Sequence, residues 1–263
     1  ILIVFVLVSV VTNTVCLFIR NSVIGQEKLK AEYAVNSTID RVEVQLEAYI
    51  QKVNFLKKTI EAGIDLDDAY FKSIASRLYS EDSAIQAIEL APNGIVKKMY
   101  PIEGNEQAYG INLLTDHTRK FAANSAKSTS KYTMEGPYDL KQGGKGALLY
   151  DPIYVNDEFW GFSILVIDWD VFLDEIHLSD LEKASYNFVI WKKDRNTNEK
   201  IIVSKSTNDI DSNTLLIKCK LPNNKWNFEI VPKQGWINQY LMINLVVASI
   251  LIDFLVTAAI AQL

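Results

Sequence analysis

The chain begins and ends in apolar runs. Residues 1–19, ILIVFVLVSVVTNTVCLFI, carry no charge, and residues 240–263, YLMINLVVASILIDFLVTAAIAQL, carry one, Asp253. At about 1.5 Å of rise per residue, either run reaches across a hydrocarbon layer of about 30 Å. Both are predicted as transmembrane helices, over 1–20 and 236–263. A signal peptide is the alternative for the first, but no charged segment precedes it and no small-residue cleavage site stands before Arg20. From Asn21 to Gly63 the pattern turns amphipathic. Val35, Ile39, Val42, Leu46, Tyr49, Val53, Leu56 and Ile60 alternate steps of four and three, the apolar seam of a long helix. Gly63 stands where a C-terminal cap belongs. Such a seam either lies along the chain's own domain or pairs with a second copy.

A second helix is predicted over 66–79, with Phe71, Ile74 and Leu78 on one face and Asp67 and Asp68 at its start. Then the period falls to two. AIQAIELA and IVKKMYP flank Pro92-Asn93-Gly94, a hairpin signal. A helix over 116–127 follows, with Thr115 as its N-cap. Strands are expected over 131–134, 137–142, 146–155 and 158–168. WDVFLDEIHLSDLE reads as one helix leading into the strands YNFVIWKK, KIIVSKS, TLLIKCKL and KWNFEIV. Leu215, Ile217, Cys219 and Leu221 alternate with Lys218 and Lys220, as in antiparallel strands buried on one face. The expected plan is a first span (1–20), a stalk helix (21–63), a membrane-distal module (64–168), a membrane-proximal module (169–235) and a second span (236–263). The class is α+β.

Charge and composition narrow the functions. The net charge of −5 over 263 residues leaves no basic footprint for nucleic acid. Cys16 lies in the first span and Cys219 has no partner in the folded region, so no disulfide framework is expected. A bacterial cell membrane suits this cysteine usage, with residues 21–236 extracytoplasmic. Lacking an initial Met and stopping within an apolar run, the sequence reads as a fragment, cut where two cytoplasmic extensions would begin.

Candidate chemistry is sparse. GPYDLKQGGKG, residues 136–146, suggests a phosphate cradle, but Lys145 precedes Gly146 rather than Ser or Thr, and a strand follows instead of a helix. His117 and His177 have neither zinc-ligand spacing nor a nucleophile elbow and read as solvated helix residues. No catalytic residue, metal or cofactor is predicted. Asp253 stands out, because charge near the middle of a span is costly and turns toward protein or water. Ser249, Thr257 and Ala261 share its face, and Thr12, Asn13 and Thr14 lie at similar depth in the first span. Asp253 is expected to hydrogen-bond across the helices and bias signalling.

Two stretches resemble a known family. IQAIELAPNGIVKKMYPIEGNEQAYGINLL and GPYDLKQGGKGALLYDPIYVNDEFWGFSILVID are similar to the two halves of CHASE domains, extracellular sensor modules of histidine kinases and nucleotide cyclases. KWNFEIVPKQGW resembles the family's ending. The resemblance implies a long N-terminal stalk helix, then two PAS-like antiparallel-sheet modules, flanked by two transmembrane helices. It implies a small extracellular ligand in the distal module, a homodimer through stalk and transmembrane helices, and a cytoplasmic output domain of histidine kinase or diguanylate cyclase type. In plant members an acidic residue, an apolar residue and a small hydroxyl residue surround a cytokinin. The matching positions here are Thr118-Arg119-Lys120, Lys141 and Tyr150. Basic side chains there suit an anionic ligand such as a carboxylate or phosphate. The implied ligand set is Arg119, Lys120, Met134, Tyr138, Lys141, Tyr150 and Trp160. A ligand-free module that docks a protein partner is the alternative.

Overall fold

A computed structural model describes residues 2–80, 83–140, 143–194, 198–207, 210, 213–221 and 224–262. The first span and the stalk form one helix, α1 (Leu2–Glu61), 60 residues long. No proline interrupts it. It closes at Gly63, whose φ of +76° is a left-handed value that glycine adopts without strain. The Ile64 N–H then donates to the Thr59 carbonyl at 3.2 Å, satisfying a C-terminal acceptor.

All eight seam residues of α1 are buried, against the sheets of the same chain. The seam is therefore spent within the chain and is not free to pair with a second copy. The apolar residues left exposed on α1 beyond the first span include Leu29, Tyr33, Val44 and Phe55.

The distal module opens with α2 (Asp68–Ser80), whose first turn is held by the Asp67 carboxylate accepting the Tyr70 N–H at 2.7 Å. Five antiparallel strands follow: β1 (Ile85–Pro92), β2 (Lys98–Tyr100), β3 (Thr133–Asp139), β4 (Lys145–Val155) and β5 (Glu158–Asp168). Their order is β2-β1-β5-β4-β3. Asn93 and Gly94 take the left-handed values of a tight turn, φ +53° and +79°. The hairpin is wider than that turn, because its innermost registered pair is Leu90 with Lys98 and Ile95 bridges Asn112 instead. The two strands expected over 131–142 are the single strand β3, whose register shifts between Glu135 and Tyr138. Helix α3 (Lys120–Thr129) starts later than predicted. Asp116, not Thr115, organises the preceding turn by accepting the N–H groups of Thr118 at 3.1 Å and Arg119 at 3.0 Å.

The proximal module holds α4 (Trp169–Glu175), α5 (Ser179–Lys183), β6 (Tyr186–Lys193), β7 (Lys200–Lys205), β8 (Leu215–Leu221) and β9 (Asn224–Pro232), with strand order β7-β6-β9-β8. WDVFLDEIHLSDLE is not one helix. His177, at φ +51°, breaks it into α4 and α5. Helix α6 (Gln239–Ala261) then returns alongside the start of α1.

One core runs between α1, from Ala31 to Ile60, and the inner faces of both sheets. A second core covers the outer face of the distal sheet, where Val96, Met99, Ala108 and Leu113 join Ala122, Ala123 and Ala126 of α3. Polar ties bind sheet to helix: the buried Ser163 hydroxyl donates to the Val53 carbonyl at 2.9 Å, and Lys57 pairs with Asp151 at 3.0 Å. Between the sheets, Lys192 of β6 pairs with Glu135 of β3 and donates to the Gly136 carbonyl at 2.6 Å.

Candidate functional site

The second core contains a buried polar row. Glu89 on β1 and Tyr150 on β4 both register with Ile164 on β5, and Thr133 on β3 registers with Tyr150. Neighbouring strands lie about 4.8 Å apart, so Glu89 and Tyr150 stand about 10 Å apart on one face, with Ile164 between them. Arg119 enters from above, at the N-terminus of α3. It is buried, and its Nη1 lies 3.3 Å from the Asp116 carboxylate. Burial works against the Asp116 charge. The Arg119 and Thr118 N–H groups and the Arg119 guanidinium outweigh it and hold the carboxyl below its usual range.

Glu89 is 2% exposed. Burial pushes its pKa up to about 7, against the opposing pull of the Arg119 charge. The Tyr150 hydroxyl is buried without a hydrogen-bond partner among the described residues. Burial, with Tyr138 nearby, raises its pKa well above the ordinary value. An unpaired buried hydroxyl costs about 1–3 kcal/mol, and a buried carboxyl more when charged. Phe162 and Phe159 wall this row, stacked edge-on with centroids 5.0 Å apart, and Tyr150 meets Phe162 at 6.1 Å.

The structure divides the predicted ligand set. Arg119, Tyr138 and Tyr150 gather at this outer core. Met134 and Trp160 do not. Met134 registers with Leu149, and both face α1, because successive residues of a strand point to opposite faces. Trp160 packs against the inner core and lines a groove of about 270 Å³ with Ile60 and Ile64. The Lys120 ammonium lies over the largely exposed Phe121 ring, 5.1 Å from its centroid. Lys141 lies outside the described residues. Sequence reasoning missed Glu89. Its signal was one acidic residue inside the apolar strand AIELA. His117 and His177 are exposed, and no group of three metal-ligating side chains forms among the described residues.

A second polar node joins α1 to α6. Asp253 is 7% exposed; its Oδ1 accepts from the Thr12 hydroxyl at 2.7 Å and its Oδ2 from the Ser9 hydroxyl at 2.8 Å. Thr12 was anticipated and Ser9 was not. Asn13 and Thr14 instead bond back to carbonyls of their own helix. Ser9, Thr12 and Cys16 share one face by three- and four-residue steps, and the Cys16 thiol meets the Leu245 carbonyl at 3.6 Å.

The chain is thus an α+β fold in which one long helix backs two antiparallel sheets, with a buried polar row in the distal sheet and two helices long and apolar enough to cross a membrane. Residues 90–202 match the sequence pattern of the CHASE domain family. No curated protein matches it in sequence. Among solved structures it is similar in fold to an extracellular ligand binding receptor from Desulfohalobium retbaense (TM-score 0.57, 12% identity, 74% of this chain). This chain spans 38% of that receptor's length. The ligand-binding domain of Pseudomonas fluorescens chemoreceptor CtaA in complex with L-isoleucine is also similar (TM-score 0.57, 13% identity, 82% of this chain and 96% of that one). So is that of the Pseudomonas aeruginosa amino acid chemoreceptor PctC in complex with GABA (TM-score 0.54, 12% identity, 78% and 98%).

Proposed function

We propose that this chain is the non-catalytic sensor region of a bacterial transmembrane signalling receptor, and that its distal module receives a small polar ligand at Glu89, Arg119 and Tyr150. One observation carries the reading: a carboxyl, a guanidinium and an unpartnered hydroxyl share a buried face where apolar packing alone would be more stable. Such a row suits a zwitterion, with its acid toward Arg119 and its ammonium toward Glu89 and the Tyr150 hydroxyl oxygen. This revises a simple anion, since Glu89 adds an acidic group. The amino-acid ligands of CtaA and PctC support the same class.

The ligand acts by binding one arrangement of α3 and the sheet better than another. β4 and β5 are tied to α1 through Lys57–Asp151 and Ser163–Val53, and α1 runs unbroken to Ser9 and Thr12 at Asp253. Output would follow in a histidine kinase or diguanylate cyclase type domain, with two copies of the receptor paired through the free faces of α1 and the spans.

Isothermal titration of the whole chain in lipid nanodiscs with GABA, L-isoleucine and other amino acids tests the site. A saturable amino acid should lose roughly tenfold affinity or more, about 1.4 kcal/mol, in Arg119→Gln and Tyr150→Phe. Failure of every amino acid to bind, or equal affinity in both variants, would refute the reading. The docking alternative draws on a groove of about 790 Å³ beside edge strand β2, lined by Phe71, Met99, Tyr100 and Tyr109, with Ile102 exposed.

A further inference from the structure

The outer face of the proximal sheet carries a row of lysines across all four strands. Lys200 on β7 stands opposite Lys193 on β6, and Lys225 on β9 opposite Lys220 on β8. Trp191 pairs with Asn227, so Lys193 and Lys225, each two residues further on, fall level. With strands about 4.8 Å apart, the row is about 14 Å long. Lys218, opposite Asn227, adds a fifth cation one row away. Lys193, Lys218, Lys220 and Lys225 make no ion pair among the described residues. Glu229 is the single acid within these strands, and it already accepts from the Trp191 Nε1 at 2.6 Å and the Lys200 Nζ at 3.2 Å. Asp194 and Glu199 lie beyond the strand ends, in the β6–β7 turn.

Like charges directly opposite across strands destabilise a sheet. Lysines on edge strands guard against aggregation, which accounts for Lys200, Lys218 and Lys220. It does not account for Lys193 and Lys225, which sit on the central strands β6 and β9. The distal sheet covers its matching face with α3, whereas here Ile202 and Leu216 are exposed and a groove of about 710 Å³ lies open, lined by Trp191, Leu216, Asn227, Lys193, Lys218, Lys220 and Lys225.

We infer that this groove binds an acidic polysaccharide laid across the strands, its carboxylates on the lysine row, its sugar faces against Trp191 and Leu216, and its hydroxyls at Asn227. An extended acidic peptide would bind along a sheet edge through its main chain, parallel to the strands rather than across them. A nucleic acid strand would need successive aromatic platforms, and among the groove's lining residues only Trp191 is aromatic.

The test uses the whole chain in phosphatidylcholine nanodiscs, with biolayer interferometry against immobilised polygalacturonate, dextran, polyglutamate and single-stranded DNA. Polygalacturonate should bind and dextran should not, with affinity falling as salt rises. The double variant Lys220→Gln/Lys225→Gln should weaken binding about tenfold or more while its thermal midpoint stays level or rises, because a repelling pair is gone. Lys72→Gln/Lys97→Gln on the distal module should bind as the parent does. The inference is overturned if polygalacturonate binds no better than dextran. It is also overturned if polyglutamate or DNA binds as tightly, if the Lys220/Lys225 variant retains affinity, or if the distal variant loses it equally.

Discussion

Glu89→Gln isolates the buried carboxyl of the distal sheet. The substitution keeps the side chain's shape and removes its ionisation. Burial moves the carboxyl from an ordinary 4.5 to about 7. At 1.36 kcal/mol per unit, that rise amounts to about 3 kcal/mol. The folded state holds the proton more tightly than the unfolded one, so stability is highest below the unfolded pKa. It is lost as pH rises through the window from about 4.5 to about 7, and the full cost stands above it. Thermal unfolding of the whole chain in nanodiscs, followed by circular dichroism from pH 5 to pH 8, reads this directly. At roughly 2–4 °C per kcal/mol for a domain of this size, the variant should melt about 6–12 °C above the parent at pH 8 and close to it at pH 5. Every other titrating group is common to both proteins, so the difference belongs to Glu89. Parallel profiles, or a variant less stable at pH 8, would refute the reasoning.

Three further predictions follow from contacts elsewhere. Lys192→Met removes the ammonium that pairs with the Glu135 carboxylate between the sheets and should lower thermal stability by about 1–3 kcal/mol, part of which Lys192→Met/Glu135→Gln restores. Gly161→Ala places a Cβ 2.2 Å from the Ala91 carbonyl oxygen at φ +152° and should cost about 3 kcal/mol or more, measured by chemical denaturation, by prising β5 from β1. Asp253→Leu removes two hydrogen bonds between the spans and should weaken their pairing by about 1 kcal/mol, read as slower cross-linking of Cys16 to a Leu245→Cys cysteine.

Periodicity explains what the sequence disclosed. The α1 seam was legible because each of its positions packs on the same chain, so the 3.6-residue repeat was never interrupted. Alternation marked β8 and β9 for the matching reason, that one face is buried and the other open. Left-handed residues hid structure: nothing in His177 announces the break between α4 and α5. Face assignment failed where a ligand set was carried over by resemblance rather than by parity, so Met134 was grouped with Tyr150 although Thr133 is the residue in register with it. Glu89 was masked by its apolar neighbours, since composition reports the strand and not the one position where burial and charge collide. In the apolar helices, Asp253 was legible from its cost alone, but Ser9 was not, because a serine hydroxyl can bond a carbonyl of its own helix and so carries no such penalty.

The unbroken α1 makes the chain a device that counts residues. Sixty residues at about 1.5 Å each form a rod of about 90 Å whose two ends keep a fixed angular phase. The sheets fix one azimuth along the seam, and Asp253 reads another at Ser9 and Thr12. Each residue between them turns the rod by about 100°, so the spacing from Thr12 to Val35 is itself a stored setting. A twist imposed at the distal sheet reaches the contact with α6 undivided, and a single inserted residue would arrive there as about 100° of misalignment.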